Sequence, residues 1–463
     1  MSSEVISDGE LEEISPSRGC AISPEQLQAI ICQITAEVNK TNPVTIAERI
    51  LRENQIIYCA EDFYRYESGC YRRFNENELF KIIKDILALE FSWHKAREVI
   101  TSIKAEAFVK TEILNAINAL NLRNGMFDLR DLRLREHSHK IFSTIQLNVA
   151  FDPEAKCPMW CTALDQIFLG RMDKISILQE FFGLCLTKDV SHEKALFLIG
   201  EGSNGKSVIL HVLQHLLGEE NYSSVALETF NNSHYIADMF GKLANISMET
   251  NAKSSVYDSM FKAIVSGDSI QADAKFKHPL KFRPFCKLIF ALNNMPRVDD
   301  KTEAFFRRLI ILRFDRKFKE HEKNKNLRQE LLTELDGIFN WSLDGLMRLR
   351  DRGHFMESES VLREIQQYRR QNNNLIIFVE EECNLDQYNE ISKDVLYRAY
   401  SEWCSQNGYY ALSKIHFGKD LMKQFPDVED NRDAVRRYWS GIGLPEIVTE
   451  NDRNDEILIS PFL

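Results

Sequence analysis

Residues 195–207 read ALFLIGEGSNGKS, an apolar strand that runs directly into the pattern Gly-x-x-x-x-Gly-Lys-Ser. Apolar residues at helical spacing follow from Val208 to Leu217, and Gly218 stands where such a helix would end. Strand, glycine-rich loop and helix in this order are the context that a phosphate-binding loop requires. A glycine turn without a ligand is the alternative, and the flanking pattern disfavours it. The sequence therefore predicts an α/β core built around this loop.

The residue types of the loop indicate its chemistry. Glycines at 200, 202 and 205 let backbone N–H groups curl around phosphate oxygens, and the following helix adds the positive end of its dipole. Lys206 is expected to bridge the β- and γ-phosphates, and the Ser207 hydroxyl is expected to bind Mg²⁺. ATP and Mg²⁺ are therefore the predicted ligands, and the predicted nucleotide-binding residues are Gly200, Glu201, Gly202, Ser203, Asn204, Gly205, Lys206 and Ser207.

Two polar residues follow later strands of the predicted core. The apolar run 243–248 ends at Glu249, a carboxylate that can hold the Mg²⁺ shell or polarise the attacking water. The run 286–292 ends at Asn293, which can sense the γ-phosphate because the ends of neighbouring parallel strands converge. A surface glutamate and a turn-forming asparagine are the alternatives. A single acid in place of an Asp-Glu pair leaves the division between metal binding and base catalysis open.

Arg307 and Arg308 precede another apolar strand, residues 309–312. An arginine there that reaches the γ-phosphate of a neighbouring subunit would stabilise transition-state charge and make hydrolysis depend on assembly. A surface salt bridge is the alternative, and the sequence does not separate the two arginines.

The stretch 261–285 predicts a β-hairpin, because its residues alternate on both sides of Lys277-His278-Pro279. The tip and flanks are basic and aromatic, which suits single-stranded nucleic acid: cations contact phosphates and rings stack or make steric contact. A solvated, charged hairpin is the alternative.

Composition limits the class of protein. The 463 residues, 44% of them hydrophobic, are enough for about three domains. The net charge of −11 argues against a uniformly basic coat on DNA but allows local basic patches. No apolar window approaches a membrane span and no signal peptide is visible, so a cytoplasmic location without membrane contact is expected. The ten cysteines lack disulfide spacing, and the pair Cys157 and Cys161 lacks the second pair that a zinc site needs.

The pattern of elements predicts several modules. Residues 76–120 have helical spacing, Asn124-Gly125 marks a hairpin turn, and residues 372–374 are interpreted as a linker. The predicted order is a disordered acidic tail at 1–22, an α+β region at 23–120, a helical domain at 121–190, an ATPase core at 191–318, a helical connector at 319–372 and a DNA-binding module at 373–463.

The last module fits a winged helix. Ser392 opens one helix, residues 413–425 form a second, and Arg436-Arg437 precede a short strand pair. A basic second helix could enter the major groove of duplex DNA, whereas a protein-docking or structural cap is the alternative. The candidates for DNA contact in this module are Lys414, Lys419, Arg436 and Arg437.

The order of these motifs resembles that of superfamily 3 helicases, and is closest to the helicase part of phage, plasmid and poxvirus primase–helicases. The resemblance rests on residues 200–207, Met248-Glu249-Thr250, Lys262 with Ser266-Gly267-Asp268, the Lys-Phe-Lys hairpin, Asn293 with Pro296, and Arg307-Arg308. It implies a multidomain α/β and α+β protein: a P-loop AAA+-type core, a mainly helical N-terminal domain and a C-terminal winged helix. It also implies a ring, usually a hexamer, that threads one DNA strand 3′→5′.

The resemblance further implies roles for individual residues. By similarity, Lys206 and Ser207 bind nucleotide and Mg²⁺, Glu249 is the Walker B acid and Asn293 is the first sensor. Arg307 or Arg308 would be the arginine finger. The residues at subunit contacts or in the DNA channel would be Lys262, Lys275, Lys277 and His278. The region upstream of residue 120 is too short for the primase domain of such proteins, so a separate primase is an expected partner.

The expected function is that of an ATP-driven replicative DNA helicase from a phage, plasmid or integrated mobile element. Its expected substrates are single-stranded and forked DNA, with origin duplex as a further partner. An origin-binding remodeller that unwinds little is one alternative, and a P-loop kinase is a less favoured one.

Overall fold

The computed structural model describes residues 42–116, 118–248, 258–273, 279–296, 298, 302–434 and 436–445. Contacts within the chain separate two compact units. The first takes residues 1–116 with 139–144, and the second takes residues 117–138 with 145–463. The acidic tail predicted at 1–22 lies outside the described residues.

The described part of the first unit combines a small sheet with helices. Its elements are Pro43–Asn54 (α1), Ile56–Cys59 (β1), Asp62–Glu67 (β2), Cys70–Phe74 (β3), Glu76–Leu87 (α2) and Trp93–Glu106 (α3). The sheet has the order β1-β2-β3 and is antiparallel, because short turns such as Ser68-Gly69 bring neighbouring strands side by side. Side chains of Asn42, Asn75 and Ser92 accept N–H groups of the first helical turns and fix where the helices begin.

The helix expected over residues 76–120 is wrong beyond Glu106, where α3 ends. Ala119–Leu122 instead form a strand (β4) that pairs with Gly125–Asp128 (β5), which in turn pairs with Arg133–Arg135 (β6). Pairing with β5 satisfies backbone groups of β4, which spacing alone could not reveal. The hairpin predicted at Asn124-Gly125 is present, with Asn124 in the turn and Gly125 already in β5.

The remaining elements of the second unit follow in chain order. The helices are Pro158–Phe168 (α4), Met172–Cys185 (α5), Lys206–Leu217 (α6), Ser233–Ile236 (α7), Asp258–Ser266 (α8), Glu303–Phe306 (α9), Leu327–Leu332 (α10), Leu335–Arg352 (α11), Glu359–Gln371 (α12), Asn374–Glu382 (α13), Lys393–Gln406 (α14) and Lys414–Gln424 (α15). The strands are Ala195–Ile199 (β7), Tyr222–Ser223 (β8), Ala244–Met248 (β9), Ile270–Ala272 (β10), Leu280–Phe282 (β11), Lys287–Leu292 (β12), Leu309–Arg313 (β13), Glu390–Ser392 (β14), Glu429–Arg432 (β15) and Arg437–Ser440 (β16).

A five-stranded parallel sheet forms the centre of the second unit, in the order β13-β7-β12-β9-β8. Every residue of β7 and of β12 is buried, as the continuous apolar runs predict for a sheet covered on both faces. Alternate residues of β7 enter two different cores: Leu196 and Leu198 enter one, and Phe197 and Ile199 the other. The predicted α/β core around residues 195–217 is therefore confirmed.

Helices α5 and α11 pack closely against each other in this unit. A Cβ atom added to Gly345 of α11 would lie 2.5 Å from the carbonyl carbon of Gln179 in α5. One added to Gly183 of α5 would lie 2.6 Å from the backbone nitrogen of Leu346. These glycines let the two backbones approach, and fully buried residues such as Leu178 and Ile338 pack around them.

The C-terminal module joins α13, α14 and α15 to a small antiparallel sheet of order β14-β16-β15. Two expectations are wrong here. Residues 372–374 are not a free linker, because the Asn373 side chain caps α13 and Asn374 is buried. Arg437–Ser440 do not precede the strand pair but form β16, which lies between its two neighbours. At Asn374 a tertiary contact buries polar sequence that looks like loop, and at Arg437–Ser440 pairing with β14 and β15 makes a strand.

Candidate active site

The loop between β7 and α6 has the backbone shape of an anion-binding nest. Ser203 and Gly205 adopt positive φ angles of 63° and 94°, which turn successive N–H groups toward one side. Within the described part of the chain, the N–H groups of Gly202, Ser203 and Gly205 reach no acceptor. The first turn of α6 begins at Lys206, so the positive end of its dipole lies at the same mouth.

The first and last glycines of the loop are required by their surroundings. A Cβ atom on Gly200 would lie 2.8 Å from the carbonyl oxygen of Phe314, and one on Gly205 would lie 2.6 Å from Cδ1 of Ile167. A Cβ atom on Gly202 would meet nothing within 4 Å. Gly200 and Gly205 are therefore required by contacts within the protein, whereas Gly202 has open space beside it.

Lys206 is a buried cation held by uncharged oxygens. Its ammonium donates to the carbonyl oxygen of Gly200 and, at 3.2 Å, to Oδ1 of Asn204. No carboxylate of the described residues lies within ion-pair distance of Lys206. Burial lowers the pKa of Lys206, since the charged form is poorly solvated there. A buried ammonium without a described counter-charge, beside free N–H groups, fits a phosphate group.

The strand ends place Asn293 beside the loop. Leu292 of β12 pairs with Ile199 of β7, and its carbonyl oxygen accepts the N–H of Gly200 at 3.1 Å. Asn293 is the next residue and is exposed, so its side chain is available at the edge where phosphates would bind. Ser207 is exposed in the first turn of α6, and its hydroxyl suits one position in a Mg²⁺ shell. Glu249 lies outside the described residues. It directly follows Met248, the last residue of β9.

A segment that sequence reasoning missed, residues 314–318, contacts β7 and the loop. Phe314 donates its N–H to Ile199 at 2.7 Å, and Phe318 donates its N–H to Ser203 at 2.8 Å. The guanidinium of Arg316 lies over the Phe318 ring, 4.4 Å from its centroid. Only the pairing of β13 with β7 brings these residues to the loop, so no local motif could have identified them.

Arg307 and Arg308 lie near the start of the parallel strands, whereas the loop follows the end of β7. They precede β13, whose first residue pairs with Ala195 at the start of β7, five residues before the loop begins at Gly200. Five strand steps of about 3.3 Å separate them from the loop by about 17 Å. Arg308 is buried and donates to Ala304 O at 2.5 Å and to Ser266 Oγ at 2.8 Å. The side chain of Arg307 is 57% exposed. The structure thus distinguishes two arginines that the sequence could not.

Glu193 and Lys194 hold this arginine pair. The Glu193 carboxylate lies 3.1 Å from Nη2 of Arg307 and 2.9 Å from Nη2 of Arg308. Lys194 donates to the carbonyl oxygen of Arg307 at 2.5 Å. Burial, and then the Arg307 charge, lower the pKa of Lys194. Sequence analysis did not single out either residue, because their partners lie more than a hundred positions away.

The hairpin predicted in 261–285 is present only in its inner part, where β10 and β11 pair antiparallel, because residues 261–266 belong to the helix α8. Its base is fixed by Asp273: the carboxylate accepts the Ser233 hydroxyl at 2.7 Å, and the carbonyl oxygen lies 2.7 Å from Nδ1 of His234. Lys262 lies partly exposed on α8, one turn before Ser266. The tip residues Lys275, Lys277 and His278 lie outside the described residues.

The basic residues of the C-terminal module differ in how strongly they are engaged. Lys414 pairs with Asp394, and Arg436 lies 2.8 Å from Glu390 and 3.1 Å from Asp433. Lys419 and Arg437 are exposed. Two of the four predicted DNA contacts are thus partly neutralised by carboxylates of the module itself.

The described residues contain no cluster of three or more ligand-type side chains that could hold a metal ion. Cys157 is buried and Cys161 is exposed, both as free thiols. No helix in the described part of the chain is long and apolar enough to cross a membrane.

Three family models match successive parts of the chain. "D5 N terminal like" matches residues 47–169, a family of unknown function (DUF5906) matches residues 198–308, and "Poxvirus D5 protein-like" matches residues 370–439. The second match begins in β7 and ends at Arg308, so it takes in both the loop and the arginine pair.

Individual proteins show the same relationship. A protein of Acanthamoeba polyphaga mimivirus named "Putative helicase" is 29% identical over 176 residues, which are 35% of this chain and 18% of that protein. The chain thus matches less than a fifth of this relative. Apo structures of the NrS-1 C-terminal region superpose with TM-scores of 0.53 to 0.55 at 11–13% identity, covering 87% of this chain and 99–100% of theirs. The last likeness shows the fold, and together these matches confirm the predicted resemblance to primase–helicases.

Proposed function

With the resemblance to primase–helicases as the premise, we propose that this chain is an ATP-dependent DNA helicase with an AAA+-type core. The observation that carries the proposal is Lys206: a buried ammonium held by neutral oxygens, next to loop N–H groups that reach no acceptor in the described part of the chain. A nucleoside triphosphate supplies the missing negative charge.

In this proposal the loop holds ATP and Mg²⁺ through distinct residues. Lys206 leaves its loop acceptors and binds the β- and γ-phosphates, while Ser207 supplies a hydroxyl to Mg²⁺. Asn293, next to the strand residue that binds Gly200, orients the attacking water at the γ-phosphate. Glu249 is assigned the carboxylate role of metal binding or water activation from its place after β9. Bound Mg²⁺ would neutralise charge that develops on the phosphates.

The position of Arg307 supports the proposal of a ring of subunits. This exposed arginine lies about 17 Å of strand away from its own loop, so it cannot reach its own γ-phosphate. In a head-to-tail ring the same edge would face the loop of the next subunit. Arg307 is then the arginine finger, and the buried Arg308 supports it. Ring closure, and six as the number of subunits, are part of the proposal.

The hairpin arms supply the proposed contact with single-stranded DNA. Asp273 fixes the hairpin base, and Lys275, Lys277 and His278 lie between the arms in sequence. Short basic segments gathered in a central channel would reconcile DNA binding with a net charge of −11. The C-terminal module is proposed to be a winged helix whose exposed Lys419 and Arg437 contact duplex DNA.

The test is ATP hydrolysis by wild type and Lys206→Ala, with and without single-stranded DNA, together with strand displacement on a forked duplex. Lys325→Ala is the matched control, since Lys325 is an exposed lysine outside the loop. We expect DNA to stimulate the wild type and the control, and Lys206→Ala to lose both activities. DNA-independent hydrolysis without strand displacement would instead support a remodeller, and transfer of phosphate to a small acceptor would support a kinase.

A further inference from the structure

Glu193 has a backbone conformation that is unusual for a glutamate. Glu193 adopts a φ of 48° in the turn that leads into β7, and its N–H donates to Val190 at 3.0 Å. This left-handed region favours glycine or asparagine, and a side chain such as glutamate is strained there by about 1–2 kcal/mol. Such strain persists where the surroundings fix the side chain, and here both arginines fix it.

Glu193 contacts both arginines, and Arg308 is held by more contacts than Arg307. Arg308 is anchored on three sides, by Ala304 O, Ser266 Oγ and the Glu193 carboxylate. The same Glu193 oxygen then holds one terminal nitrogen of Arg307, while most of that side chain stays exposed. The remaining N–H groups of Arg307 are therefore presented in a fixed direction and stay available for a phosphate.

The backbone around Arg307 is held as well. Its carbonyl oxygen accepts from Lys194, and the carbonyl oxygen of Arg308 accepts the N–H of Ala195 at 2.8 Å. Ala195 is the first residue of β7, and Ile199 at the other end of the same strand leads into the phosphate loop. The short, fully buried strand β7 therefore leads into the loop at one end and is bonded to the backbone next to the exposed Arg307 at the other.

We infer that Glu193 is a positioning residue for Arg307: it fixes the guanidinium so that it meets the γ-phosphate bound by the neighbouring subunit. Fixing the arginine in advance removes the cost of ordering a long side chain during the reaction and aims its charge where it develops. This inference rests on the proposed function, because it needs a neighbour whose nucleotide Arg307 can reach.

The first measurement is the kinetics of full-length Glu193→Ala, Glu193→Gln and the control Glu359→Ala, which removes an exposed glutamate paired with Arg363. Because Glu193 positions and does not bind nucleotide, Glu193→Ala should lower kcat about 10- to 100-fold with an unchanged KM for ATP. Glu193→Gln keeps a carbonyl acceptor and should lie between Glu193→Ala and wild type. A kcat within twofold of wild type for Glu193→Ala would overturn the inference.

The second measurement asks in which subunit Glu193 acts. Lys206→Ala carries a dead loop but an intact arginine, and Glu193→Ala carries the converse, so mixed rings contain sites with both parts intact. With random mixing at equal amounts, about one quarter of sites regain them, and hydrolysis should rise to about a quarter of the wild-type rate. A mixture no more active than its components would show that Glu193 acts only within its own subunit and would overturn the inference.

The mixture of Arg307→Ala with Lys206→Ala separates the two possible failures. If this mixture also stays inactive, the proposed contact between subunits fails and the inference falls with it. If it recovers activity while the Glu193→Ala mixture does not, the proposed function stands and only the role of Glu193 is refuted. Thermal unfolding of each variant identifies any that does not fold, and Glu193→Gln then replaces Glu193→Ala in the mixture.

Discussion

The three glycines of the phosphate loop should respond differently to alanine, because each has a different environment. Gly205 has a positive φ of 94° and lies against Ile167, Gly200 lies against the Phe314 backbone, and Gly202 faces open space. Replacement of each by alanine therefore tests the loop geometry one position at a time.

The expected magnitudes follow from these contacts. Alanine at 205 costs about 1–2 kcal/mol for a left-handed backbone and about 1–3 kcal/mol for crowding Ile167, together about 2–5 kcal/mol of unfolding free energy. Alanine at 200 costs about 1–3 kcal/mol, because the Phe314 carbonyl is backbone and yields little. Alanine at 202 should leave stability unchanged or raise it by about 0.4–1 kcal/mol, since it restricts the unfolded chain.

The assay is urea unfolding followed by tryptophan fluorescence, with Ile167→Ala added to form a double-mutant cycle with Gly205→Ala. Ile167→Ala alone should cost about 2–5 kcal/mol, but the double variant should cost about 1–3 kcal/mol less than the sum, because the crowded atoms are gone. Additive costs would refute crowding at 205. Equal losses for alanine at 202 and 205 would refute the loop geometry.

Nucleotide binding gives the contrasting readout. Gly202→Ala should weaken binding of a fluorescent ATP analogue although its stability is normal, because a methyl group would occupy space that a phosphate needs. Normal binding by a stable Gly202→Ala would show that phosphate does not approach this side of the loop.

Three further predictions concern residues around the site. Arg308→Ala should lose about 3 kcal/mol of unfolding free energy and Arg307→Ala less than about 1 kcal/mol in the same urea assay, because only the former is buried; equal losses would contradict their separation. Burial lowers the pKa of Lys287 from its ordinary value to about 8, so between pH 8 and the unfolded value the unfolded chain binds more protons and stability rises with pH. Relative to Lys287→Met, the wild type should therefore gain up to about 3 kcal/mol from pH 8 to 10.5, and a constant difference would show an unshifted lysine. Gly345→Ala should lower stability by about 1–2 kcal/mol although alanine favours helix by about 1 kcal/mol, because its Cβ would strike the Gln179 backbone; a stabilised variant would refute the close contact of α5 and α11.

The parts of the fold that were predicted correctly depend on local interactions. The strand, loop and helix of 195–217 each follow from residues within a few positions of one another, and so do the hairpin at β4 and β5 and the start of α14. Capping, turn formation and apolar spacing act over one or two turns of chain. Wrong expectations arose where a distant partner overrode that spacing, as at β4 and at Asn374.

In the candidate site, too, the residues of a local motif were predicted and those brought in by distant strand pairing were missed. Lys206 and Ser207 were named from a motif, because backbone N–H groups and side chains of one loop suffice to hold a phosphate. The stacked pair Arg316 and Phe318 was missed, since only the pairing of parallel strands carries it to the loop. The roles of Lys206, Asn293 and Arg307 remain predictions until the variants are measured.

By itself, the sequence determined that this chain has a glycine-rich loop between a buried parallel strand and a helix, because such a loop is encoded in consecutive residues. Only the tertiary structure decided that Arg308 is buried and Arg307 is exposed. Glu193 is more than a hundred residues from both arginines, and its carboxylate reaches them only after β13 has paired with β7. A charge separated from its partner by that length of chain is placed by the fold, and no sequence spacing records it.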